Sequence, residues 1–109
     1  MEATSALAGQ LDDLGHLRPD KIWDKRIAGY LAALEGLELS DRHLEICNCF
    51  RQFYQQFSVD PTHRAIAGFL ARNLDAEKAS SSYLAVLFPQ GFLRQACRIA
   101  GLPKPEHCL

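Results

Sequence analysis

Four cysteines carry most of the chemical potential of this sequence, and their positions divide them into two pairs. Cys47 and Cys49 lie two apart in a stretch with strong helical periodicity. At 3.6 residues per turn their side chains project about 200° from each other, so they cannot grip one metal ion from an intact helix. His43 and Cys47, at i and i+4, share a face. No second Cys/His pair with zinc spacing accompanies them, so that site would need ligands from the tail, and no metal is expected. Both thiols are read as packing groups, since cysteine is among the most buried residue types. The other pair, Cys97 and Cys108, brackets ten residues at the C-terminal end.

Cys108 stands next to the last residue, after Pro103-Lys104-Pro105, with no apolar periodicity to bury it. Gly101 ends a helix-like segment. The two prolines then impose an extended, polyproline-like arm. At about 3.1 Å per residue the eight residues after Gly101 reach about 25 Å, enough to carry a thiol into another protein's active site. Displacement at sulfur depends on thiolate fraction, leaving-group pKa and access. The arm offers access, and Arg94, Arg98 and Lys104 favour thiolates and anionic sulfur species. Cys97 has two readings. It is either a small residue packed on the helix interior or a partner that Cys108 meets when Gly101 lets the chain reverse, at a Cα separation of about 4.4–6.8 Å.

Composition sets the class. A chain of 109 residues, 48% hydrophobic and 23% charged, suits one soluble domain with a modest core. No apolar run approaches a membrane span, and the start lacks a basic signal-peptide region, so a cytoplasmic protein with unpaired thiols is expected. The net charge of −1 argues against a general nucleic-acid binder. Charge is uneven, however. Eight basic face twelve acidic residues up to position 77, whereas Lys78, Arg94, Arg98 and Lys104 face Glu106 alone beyond it.

The elements that must position these groups are helical. Residues 6–11 around Gly9, with the turn signal Asp12-Asp13-Leu14-Gly15, suggest a short hairpin. Pro19 and Asp20 open a helix bearing Ile22, Trp23, Ile27, Tyr30, Leu31 and Leu34, stopped at Gly36. Ser40 caps a second helix, about 41–57, whose apolar face is wide enough for a central position. Asp60-Pro61 starts a third, and Ser80-Ser81-Ser82 caps a short fourth that Pro89 halts. The last, after Gly91, ends with Gly101 at the first position beyond its cap. The expected fold is mostly α: a small orthogonal helical bundle. A hairpin would lie within 1–20, a helical core over 21–101, and a mobile arm over 102–109.

Tyr83-Leu84-x-x-Leu87-Phe88-Pro89-x-Gly91, then Gln95-Ala96-Cys97-Arg98-Ile99-Ala100-Gly101-Leu102-Pro103-Lys104-Pro105-x-x-Cys108, resembles the C-terminal signature of the DsrC/TusE family of small sulfur carriers. The resemblance continues upstream through Asp60-Pro61-x-x-Arg64, Phe53-Tyr54-x-x-Phe57, Glu35-Gly36-x-x-Leu39-Ser40-x-x-His43, Trp23 and Gly15-x-Leu17. It implies a helical fold with an N-terminal hairpin and a C-terminal arm. It also implies that Cys108 accepts sulfane sulfur as a persulfide, with Cys97 closing a disulfide or trisulfide as in the DsrC type. Implied partners are a donor complex of the DsrEFH/TusBCD type and an acceptor such as sulfite reductase or a tRNA thiouridylase, with no cofactor. The chain departs from the family pattern at Gly68, Lys78-Ala79-Ser80-Ser81-Ser82 and Gly91-Phe92-Leu93-Arg94, surfaces expected to meet partners.

Two other classes stay open at this point. The third helix and its neighbour can be read as a helix-turn-helix with Arg64 and Arg72 on phosphate, against which stand the acidic first 77 residues. A structural subunit with incidental cysteines is the other.

Overall fold

The computed structural model describes residues 2–59 and 61–105. Six helices run in order: α1 (Glu2–Ala6), α2 (Lys25–Leu34), α3 (Asp41–Phe57), α4 (His63–Asn73), α5 (Ser81–Leu87) and α6 (Phe92–Ile99). Side-chain oxygens start four of them by accepting a backbone N–H of the first turn. Asp24 accepts from Ile27, Ser40 from His43, Thr62 from Ala65 and Ser80 from Tyr83. His43 completes the cap of α3 reciprocally. Its Nδ1 takes the Ser40 hydroxyl and N–H, and its Nε2–H donates to the Leu87 carbonyl at 2.8 Å. Both ring nitrogens are thereby committed, so His43 does not offer a lone pair to a metal beside Cys47.

The expected N-terminal hairpin is absent among the described residues. Residues 2–6 are helical, and the only strand-like pairing there is an isolated antiparallel bridge between Leu11 and Leu17. Apart from Thr4 the first twenty residues hold no β-branched side chain, and alanine favours the helix. The turn signal itself holds: the Asp12 carboxylate accepts the N–H groups of Leu14 and His16, and Gly15 takes φ 82°.

Helix α2 also starts later than its periodicity suggests, at Lys25 rather than near Asp20. Residues 18–24 form an irregular crossing that leaves Ile22 81% exposed and sends Trp23 inward. There the indole N–H donates to the Ile99 carbonyl at 2.8 Å, a long-range partner that local pattern cannot announce. Likewise α4 begins after Thr62, with Pro61 buried ahead of it. Asp60 lies outside the described residues.

Helix α3 is central, as its wide apolar face requires, and packs on α4 and α6. Phe50, Ile46 and Cys47 are fully buried with Ile66, Leu70, Phe88, Ala96 and Ile99. A second cluster joins Leu7, Leu17, Ile27 and Leu31, and Trp23 touches both clusters. The burial of Phe50 predicts that Phe50→Ala loses about 3–5 kcal/mol in urea unfolding. Ile22→Ala, at an exposed site, should change stability by under about 0.5 kcal/mol.

Candidate functional site

Helix α6 delivers the thiol-bearing end of the chain, and it is held from both sides. On its outer face Arg94 and Arg98, one turn apart, converge on Glu35 at the end of α2. Arg94 makes a two-pronged contact, Nη1 to Oε2 and Nη2 to Oε1, both 2.9 Å. Arg98 donates Nη1 to Oε2, and Gln95 donates Nε2 to Oε1 at 3.0 Å. The Glu35 side chain is only 4% exposed. Burial pushes its pKa upward, but hydrogen bonds from Arg94, Arg98 and Gln95 outweigh that and bring it from 4.5 down to about 2. Arg98 also donates Nε to the Gly15 carbonyl at 2.9 Å, so Glu35, α6 and the Asp12–Gly15 turn form one assembly.

At its C-terminal end α6 closes in a paired turn. Gly101 adopts φ 73°, its N–H donates to the Arg98 carbonyl, and the Leu102 N–H donates to the Cys97 carbonyl. The carbonyls that follow have no helical partner, and three distant side chains take them. Trp23 Nε1 donates to Ile99, Arg51 Nη1 to Ala100 at 2.9 Å, and His16 Nδ1–H to Leu102 at 2.8 Å. Arg51 lies over the Trp23 ring, 4.5 Å from its centroid. Burial lowers the pKa of His16, although the Leu102 carbonyl opposes this. A Cβ on Gly101 would run into the Trp23 ring and reach Leu17 Cδ2 at 3.1 Å.

The residues singled out from sequence are thus placed as follows. Cys97 is buried on the inner face of α6, near Cys47. The Cys47 thiol points to the Ala96 carbonyl at 4.0 Å. Burial raises the pKa of Cys47 and of Cys49, with Glu45 adding to the rise at Cys49, so both remain protonated packing groups. Leu102 and Pro105 are buried, Pro103 is half-buried and Lys104 is exposed, so the first residues of the arm lie against the body. Cys108, with residues 106–109, lies outside the described residues. Among the described residues no three His, Cys, Asp or Glu side chains cluster as metal ligands. No helix there is long and apolar enough to cross a membrane.

Sequence reasoning missed Glu35, Gln95, His16 and Arg51 as the groups that fix this end. A signal existed for the first: Arg94 and Arg98 at i and i+4 on an otherwise buried helix need a carboxylate, and Glu35-Gly36 stands at a helix end. His16 and Arg51 had no local signal.

The sequence model described as "DsrC like protein" matches residues 5–109. This chain belongs to the DsrC family. Among relatives of this DsrC-family chain, the sulfurtransferase TusE homolog of Haemophilus influenzae is 40% identical over 100 residues, 92% of each chain. Sulfurtransferase TusE of Salmonella typhimurium is 41% identical over 98 residues, 90% of each chain. Of solved structures, Allochromatium vinosum DsrC superposes with a TM-score of 0.80 at 37% identity, covering 91% of this chain and 88% of that one. The oxidized gamma-subunit of the dissimilatory sulfite reductase (DsrC) from Archaeoglobus fulgidus gives 0.71 at 31% identity, covering 91% and 90%.

Two outcomes follow for this DsrC-family site. Glu35→Gln should cost about 3 kcal/mol at neutral pH, because two arginines lose their buried counter-charge. A depressed folded-state pKa contributes stability above the unfolded value and loses it as protons bind. The gap between wild type and Glu35→Gln should therefore narrow from about pH 5 toward pH 2 in paired urea titrations. Gly101→Ala should destabilise by about 2–4 kcal/mol through left-handed backbone strain and the Trp23 collision, with a changed near-ultraviolet dichroism from Trp23.

Proposed function

We propose that this protein is a cytoplasmic sulfur-relay carrier whose Cys108 accepts sulfane sulfur as a persulfide and passes it to an acceptor protein. The family match running through residue 109, and so including the penultimate cysteine, carries this assignment. The names of the relatives, sulfurtransferase TusE and DsrC, support it. So does the anchoring of Ile99, Ala100 and Leu102 by Trp23, Arg51 and His16, since a carrier thiol needs a fixed base for the segment that bears it.

Loading is a displacement at sulfur. The Cys108 thiolate attacks the terminal sulfur of a donor persulfide, R–S–SH. The new S–S bond forms as the old one breaks, and the donor leaves as R–S⁻. Delivery repeats the exchange toward an acceptor thiolate and returns Cys108 as a thiolate. No net oxidation occurs and no cofactor is required. Cys97 adds a second outcome. Its thiolate attacks the inner sulfur of the Cys108 persulfide, a Cys97–Cys108 disulfide forms, and hydrosulfide departs carrying the two electrons. Because Cys97 is buried, this step requires uncovering it and is reserved for a complex that does so. The donor is a complex of the DsrEFH/TusBCD type, and the acceptor is a sulfite reductase or a tRNA thiouridylase.

Intact-mass spectrometry after incubation with a small-molecule persulfide donor tests the assignment. The wild-type chain and Cys97→Ser should each gain the mass of one sulfur atom, and Cys108→Ser should gain none. An unchanged wild-type mass, or equal loading of Cys108→Ser, would overturn it.

A further inference from the structure

Beside the turn that closes α6, at Gly101–Pro103, lies a cleft of about 190 Å³ that the carrier chemistry leaves unused. Arg18, Lys21 and Arg51 line it, with Tyr54 and Gln55 adding polar groups, and Pro19, Leu102 and Pro103 supplying apolar wall. Among the described residues no carboxylate lines it. Among the described residues the counter-charge is Asp20, which reaches Arg18 only at 3.9 Å and Lys21 at 3.6 Å, with a side chain 66% exposed. Exposed pairs of that length are weak, so two of the three cations remain available to a ligand. Arg51 is held in place from behind by the Ala100 carbonyl and the Trp23 ring.

We propose that this cleft binds a small sulfur oxyanion of the thiosulfate class. Its volume falls below the roughly 300–1,000 Å³ of pockets that enclose nucleotides or larger cofactors, which limits the ligand to a group of a few heavy atoms. Three cations, with no lining acid among the described residues, favour an anionic group. The mixed wall then selects among anions. Guanidinium and ammonium donors suit a sulfonate end. The proline and leucine faces suit a polarisable, weakly hydrated sulfur end better than a fourth oxygen, whose loss of water they would not replace. An ion with both ends carries sulfane sulfur. The choice of thiosulfate therefore rests on the relay reading, whereas the site itself rests on the cleft.

Amide-resolved NMR titration of the full chain with sodium thiosulfate, at constant ionic strength, tests this. Saturable shifts should centre on residues 18–21, 51–55 and 101–103, with sulfate and chloride binding more weakly. Arg18→Gln and Lys21→Gln, both on the surface crossing before α2, should each weaken binding about tenfold without altering the urea midpoint. Cys108→Ser should bind as the wild type does, which separates the cleft from the thiol. Shifts that do not saturate, shifts elsewhere, sulfate matching thiosulfate, or unweakened binding in both variants would overturn the proposal. Failure of persulfide loading with thiosulfate binding intact would instead remove the relay reading and leave the cleft standing.

Discussion

A helix that ends inside a protein leaves carbonyl groups that must find donors, and the end of α6 is where this fold meets that demand. Three carbonyls within four residues, at Ile99, Ala100 and Leu102, are taken by side chains 76, 49 and 86 positions away. Each donor comes from a different part of the chain. The Asp12–Gly15 turn ends at His16, the irregular crossing before α2 exists to bring Trp23 inward, and α3 contributes Arg51 from its exposed flank. An unsatisfied buried carbonyl costs on the order of 1–3 kcal/mol, so these contacts count most for what their loss would leave behind.

Glu35 answers the same problem on the opposite side. A carboxylate with a side chain 4% exposed is tolerable only because Arg94, Gln95 and Arg98 surround it. Two of the cations that the sequence assigns to a basic arm are therefore turned toward the body. Of the three, Lys104 alone stands exposed beyond Gly101. The positive character near the arm instead comes from Arg18, Lys21 and Arg51, residues distant in sequence that the fold gathers around Leu102 and Pro103.

Whatever depends on local chemistry was legible in the sequence. Ser40 and Ser80 cap helices, Gly101 takes the left-handed turn, α3 is central, and Cys47 and Cys49 pack. The tail motif identified the family without any contact being known. What escaped was set by long-range pairing. Trp23 lies on the helical period of Ile27 yet sits outside α2, because its N–H is needed at Ile99. The hairpin failed because a turn signal at Asp12–Gly15 does not supply strands, and the flanking alanines prefer a helix. The burial of Cys97 follows from the packing of α6 on α3, which no local pattern announces.

Trp23 is the only tryptophan in the chain, and it stands at the meeting point of both apolar clusters, the Arg51 cation and the Ile99 carbonyl. Its ultraviolet emission therefore originates at that meeting point. Any partner that pries α6 from the N-terminal loop must change the polarity around that one indole, so the chain carries an intrinsic optical reporter of the end of α6 and needs no attached dye.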